Sequence, residues 1–289
     1  MGDLRVISVT SGKGGVGKSH LAANIAALCA KRGQRTLAID ADSSLANLDV
    51  LFGVAPKRHV GHLFDGAMLD EVLTSTSSGV ALLAASPGER RMVHLSLESK
   101  NTLLCAWDAL ADDFDVVIVD AGPGVGDDVL FFASCGQQVI VVVTDEPTSI
   151  ADAAVLIREL RGRSALRQVD VVVNGVRSSK IAQSVYGRLQ TALADVSLMI
   201  RYLGHVPDDQ NVRRAAMAQR PLVELAPTSP ASRAFDRITD ALLEQTVRSS
   251  GGVSIGVTRQ MKDDVTESVD EGCAVNVGTT SASERLRHE

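Results

Sequence analysis

Ser11 to His20 reads SGKGGVGKSH, with four glycines and two lysines in ten residues. Gly12, Gly17, Lys18 and Ser19 satisfy G-x-x-x-x-G-K-[ST], a spacing in which glycines let backbone N–H groups turn inward around phosphate oxygens. Lys18 would reach the β- and γ-phosphates of a nucleotide and the Ser19 hydroxyl would ligate Mg²⁺, while the N-terminus of a following helix adds partial positive charge. Gly14, Gly15, Val16 and His20 complete the stretch expected against the nucleotide, His20 as a first-turn helix residue beside the metal ligand rather than a catalytic one. A phosphate loop of this kind needs one lysine. Lys13 is left to be explained.

A magnesium–triphosphate site also needs carboxylates, to hold the metal's waters and orient the attacking one. AIDADSSLANLD places Asp40 and Asp42 at the end of one apolar run, and VVIVDAGPG places Asp120 at the end of another. Asp120, after four apolar residues, reads as a Walker B type aspartate that binds Mg²⁺ through water. Strand-end aspartates also cap turns and helices, a reading that suits Asp49 and Asp65. Three carboxylates converging on a phosphate loop favour the metal.

The elements that must position these groups follow from periodicity. VISVT, TLAID, VALLAA, DVVIVD, QVIVVVT, DVVVN and IRYLGHVP are continuous rather than alternating apolar runs, as expected of strands covered on both faces. Helical stretches intervene at Lys18–Arg32, Thr102–Leu110 and Ile150–Leu160, and a last amphipathic helix at Pro230–Thr246 closes the core. The fold class expected is α/β: a doubly wound, mostly parallel sheet flanked by helices, whose carboxyl ends share one crevice. Residues 1–248 form this domain. Residues 249–289, rich in Ser, Gly, Thr and acids, read as a disordered polar tail.

Composition narrows the class. The 289 residues are 45% hydrophobic, 22% charged and 3% aromatic with a net charge of −6, a profile of one sizeable soluble core in the cytoplasm, with no membrane-length apolar run or signal segment. Cys29, Cys105, Cys135 and Cys273 make no CxxC pair and read as buried free thiols. The acidic balance argues against wholesale nucleic-acid binding, and the basic cluster Arg158, Arg161, Arg163, Arg167, Arg177, Lys180 and Arg188 reads first as a solvated helix face.

KGGVGKS resembles the deviant Walker A motif of the MinD/ParA ATPases, and the resemblance runs over nearly all of residues 4–246. It implies ATP and Mg²⁺ as ligands, and an ATP-dependent homodimer whose slow hydrolysis is stimulated by a protein partner. Lys13 would be the signature lysine acting across the dimer interface, Lys18 the β/γ-phosphate lysine, Ser19 the Mg²⁺ ligand and Asp42 the residue that positions the hydrolytic water. Asp40 and Asp120 would lie around the metal and Asn47 in switch I. Asn174, Pro207 and Asp208 would border adenine, although an asparagine at a strand end is also an ordinary turn residue.

Within that family, DEPTSIADAAVLIREL and YLGHVPDDQNVRRAAMAQRPLVELAPTSPASRAF look most like the FlhG/FleN flagellar-number regulators, which implies control of flagellar number or placement, or of another positioning process. Three features depart from that pattern. The chain starts almost at the first strand, Ser43 and Ser44 follow Asp42 where a glycine is usual, with Ala121 where a hydroxyl is common, and no basic amphipathic helix ends the sequence. The acids Asp263, Asp264, Glu267, Asp270 and Glu271 would be repelled by anionic lipid, so no intrinsic membrane anchor is expected. Two alternatives share the loop: a ParA-like DNA-partitioning ATPase, and an iron–sulfur carrier or nitrogenase-reductase-like protein that would use Cys135.

Overall fold

A computed structural model describes residues 4–42, 47–85, 95–110, 113–164 and 166–245. The expected tail 249–289, Ser43, Ser44 and Cys273 lie outside them.

Eight strands form one sheet: β1 (Arg5–Ser11), β2 (Thr36–Ala41), β3 (Leu73–Ser75), β4 (Val80–Leu83), β5 (Val116–Pro123), β6 (Gln138–Val143), β7 (Gln168–Val176) and β8 (Met199–Pro207). The order is β3-β4-β2-β5-β1-β6-β7-β8, and β3 alone runs antiparallel, against β4. Every expected apolar run became a parallel strand. Short β3 was not anticipated.

The helices are α1 (Lys18–Lys31), α2 (Leu48–Phe52), α3 (Leu69–Val72), α4 (Leu97–Leu110), α5 (Asp127–Ser134), α6 (Pro147–Arg163), α7 (Ser179–Ala192), α8 (Gln210–Met217), α9 (Leu222–Leu225) and α10 (Pro230–Leu243), with a 3₁₀ turn at Val60–Asp65. They cover both faces of the sheet. Alternate strand residues divide between two apolar layers: Val6, Leu37, Val119 and Val141 pack with α4 to α7, whereas Ile7, Ala38, Ile118 and Ile140 pack with α1 and α10. This two-sided burial is why the strands read as unbroken apolar runs.

The register fixes the site. Asp40 pairs level with Asp120 across β2 and β5, Val9 of β1 is level with Asp120, and Ser11 lies opposite Pro123. Adjacent strands are about 4.8 Å apart, so two carboxylates and the mouth of the phosphate loop must share one end of the sheet.

Candidate active site

Two glycines set the loop's shape. Gly17 caps α1 at φ 95°, left-handed backbone that side chains rarely adopt, and a Cβ on Gly12 would come within 2.2 Å of the Asp152 backbone on α6. Gly14 and Gly15 are exposed and Val16 is buried. No side chain caps the start of α1 and its first turn carries no acid. That helix terminus therefore presents positive potential to an anion without internal competition.

Lys18 is buried and reaches inward. Its Nζ lies 3.1 Å from Asp42 Oδ2 and 3.7 Å from Asp120 Oδ1. Burial opposes its charge, but the attraction of Asp120, Asp42 and Asp40 outweighs it and the ammonium is held above its ordinary pKa. Asp40 accepts from the backbone N–H groups of Asp42, Asn47 and Leu48 at 3.1, 2.9 and 3.0 Å, so one carboxylate ties β2 to the start of α2. Burial, then repulsion by Asp120, pushes Asp40 up to about 7 despite those three donors. Asn47, at the N-cap of α2, is exposed.

Asp120 is fully buried and both of its carboxylate oxygens lack a hydrogen-bond partner among the described residues. Burial raises its pKa, opposed by Lys18 and by the nearby Ser19 hydroxyl, and Asp42 adds repulsion. Buried acceptors left open beside a hydroxyl and a second carboxylate suit a hard, oxygen-seeking cation. His20 sits in the first turn of α1, half-buried, where burial lowers its pKa and favours the neutral ring. Its carbonyl accepts from Asn24 Nδ2 at 2.7 Å.

Lys13 does not join this cluster. Its Nζ ion-pairs with Glu146 and donates to Thr148 Oγ1 at 3.1 Å, on the turn leading from β6 into α6. Neither partner was singled out from the sequence. A carboxylate at one more strand end, directly before a Pro147 that starts a helix, was the signal available.

Asn174, Pro207 and Asp208 lie at the ends of β7 and β8, on the same edge of the sheet. Asn174 Nδ2 donates to Val16 O at 2.7 Å, and Asp208 is exposed. Asp209, also unforeseen, caps α8 through Asn211 N at 2.9 Å and accepts from Ala231 N of α10 at 3.1 Å. It fixes the segment that follows β8.

Several of the remaining candidates have partners elsewhere. In the basic cluster, Arg158 pairs with Asp195, Arg163 with Asp127 and Arg188 with Asp145, and Arg161 donates to Ser197 O. Cys135 is fully buried with its thiol pushed up by burial, and burial raises the Cys29 thiol to about 11. Cluster ligation needs thiolates, and these two free thiols resist forming them. Cys105 is half-buried and is not among the free thiols, which departs from the expectation. No group of three metal-ligating side chains of the His, Cys, Asp and Glu type occurs among the described residues. Nor is any helix there long and apolar enough to cross a membrane.

Residues 4–243 match the family model ParA, described as NUBPL iron-transfer P-loop NTPase. The chain is 38% identical over 241 residues to the antiactivator FleN of Pseudomonas aeruginosa, covering 82% of this chain and 86% of that protein. It is 30% identical over 247 residues to the flagellum site-determining protein YlxH of Helicobacter pylori, covering 84% and 83% respectively. Its fold matches, with TM-score 0.69 and 20% identity over 83% of this chain and 96% of the other, the septum site-determining protein MinD of Pyrococcus horikoshii complexed with Mg-ADP.

Proposed function

Because the chain belongs to the ParA/MinD family of P-loop NTPases, on its FlhG/FleN-like side, we propose that it is an ATP-hydrolysing dimerisation switch that regulates flagellar number or placement. The observation that carries this reading is the separation of the two loop lysines. Lys18 is committed to its own carboxylate cluster, while Lys13 is held at the surface by Glu146 and Thr148. A cation built outward from a phosphate loop is available to the phosphates of a second copy.

The reaction is transfer of the γ-phosphoryl group to water, in which charge builds on the phosphate oxygens and positioning does most of the work. Lys18 would exchange its carboxylate partners for the β- and γ-phosphates. Asp42, no longer paired with Lys18, would then orient the attacking water. Mg²⁺ held by Ser19, Asp120 and Asp40 would neutralise phosphate charge when bound. Asp40 also carries the state of that site into α2 through Asn47 and Leu48. Lys13 of a second copy would supply the last cation, so a lone subunit turns over slowly and hydrolysis dissolves the dimer. The iron transfer in the family description has no support at Cys29 and Cys135, which are buried with their thiols pushed up by that burial.

Sedimentation of the full chain with ATP and with ADP tests this. ATP should double the mass and ADP should not, and Lys13→Ala should slow hydrolysis by on the order of a thousandfold. A Lys13→Ala protein that hydrolyses ATP at the unmodified rate would sink the two-subunit mechanism.

A further inference from the structure

At the end of β7 the pairing with β8 slips: Asn174 lies opposite Val206 but Val176 lies opposite Pro207, leaving Gly175 at φ 68° as an extra residue. A bulge of this kind re-aims the neighbouring side chain. Here it turns the half-buried Asn174 across to the phosphate loop, where Nδ2 donates to Val16 O at 2.7 Å. The amide's orientation is chemically determined, since a carbonyl accepts and cannot donate. The fit is tight on the loop side as well: a Cβ on Gly17 would stand 2.2 Å from Asn174 Nδ2.

The Val16 carbonyl and the Gly17 N–H belong to one planar trans peptide, so they point in opposite directions. Pinning the carbonyl toward Asn174 of β7 turns the Gly17 N–H away from β7. Gly17 also opens α1, directly before Lys18 and Ser19. We infer that Asn174 is a positioning residue for phosphate: independently of any contact with a nucleobase, it locks the Val16–Gly17 peptide in the orientation that presents an N–H to the anion. The inference rests on the nucleotide-site reading above but not on dimerisation.

Inorganic tripolyphosphate with Mg²⁺ separates the two roles, because it has no base. Asn174→Ala and Asn174→Asp in the full chain should each weaken its binding, measured calorimetrically, by about tenfold, the worth of one good hydrogen bond. ATP binding should fall by at least as much. The ligand-free unfolding midpoint, measured alongside, shows whether the variants are folded. If ATP binding falls while tripolyphosphate binding is unchanged, Asn174 acts only on the base and the inference is overturned. In the unmodified protein, the Asn174 side-chain amide should exchange slowly with solvent in ligand-free NMR spectra. Fast exchange would overturn the inference even if both variants failed to fold. An unmodified protein that binds tripolyphosphate through Asn174 but does not dimerise with ATP would remove the switch and leave the lock.

Discussion

Five positions separate Lys13 from Lys18, and the two ammonium groups meet carboxylates in opposite solvent surroundings. The Lys18 side chain is 7% exposed and faces Asp42 and Asp120, with Asp40 behind them; that of Lys13 is 38% exposed and faces Glu146, itself 59% exposed. In the buried cluster each charge depends on the others, because removing one partner strands the rest in a poorly solvating interior. At the surface, water and salt solvate either partner, so the pair is worth little and is easily exchanged. One loop thus holds a cation bound into a buried site and another that can leave its surface partner at small cost. The difference teaches which lysine binds and which is free to act on a neighbour.

The largest effect that would break the contrast is at its buried end. Lys18→Ala should weaken ATP binding by on the order of a hundredfold or more, judged from the loss of a charge-stabilising donor. It should also destabilise the ligand-free protein by about 3 kcal/mol in urea unfolding, since three carboxylates lose their shared cation. Near-normal ATP affinity in calorimetry would show that Lys18 is not the phosphate lysine. Lys13→Ala should do the reverse. Ligand-free stability should move by less than about 0.5 kcal/mol, and single-subunit ATP binding should hardly change. Steady-state turnover should fall by on the order of a thousandfold, as for other cations supplied across an interface.

A smaller effect separates the two regions by pH. Asp40 sits in the buried cluster with its carboxyl pushed up to about 7, against about 3.9 in an unfolded chain. Between those values the folded protein holds a proton that the unfolded chain has released, so ligand-free stability is full at the acid end and is lost as pH rises toward 7. Urea unfolding with a chelator present should give a decline of about 3 kcal/mol from pH 5 to pH 8, and Asp40→Asn should flatten it. Stability rising over that interval would contradict the burial of Asp40 as the dominant influence.

Much of this arrangement was legible in the sequence because it is local. Seven of the strands carry β-branched runs with a recognisable end, and the carboxylates of interest are the residues at those ends. β3 was missed because three residues, Leu73–Ser75, are too few to show a period, and its antiparallel place at the edge follows from tertiary pairing with β4. Asp40 and Asp120 could be assigned to one crevice from topology, whereas the donors around Asp40 depend on how the chain re-enters at Asn47. Glu146 and Thr148 stayed hidden for the same reason. They lie more than a hundred residues from Lys13, and only the adjacency of β1 and β6 brings them together. The lock by Asn174 depends on a bulge, which no propensity announces.

The smallest expected effect lies at the exposed end and is the sharpest test of it. If the pair between Lys13 and Glu146 is a screened surface contact, Glu146→Gln should change ligand-free stability by less than about 0.5 kcal/mol. That small difference should shrink further between 0.05 M and 0.5 M salt, as the Debye length shortens from above 10 Å to below it, about 14 Å to about 4 Å. Thr148, which keeps its own contact with Lys13 Nζ, would still hold the side chain near the turn into α6. A loss of several kcal/mol that salt did not reduce would mean that Glu146 supports the fold in its own right. Lys13 would then not be a cation held in reserve, and the distinction between the two ends of the loop would collapse.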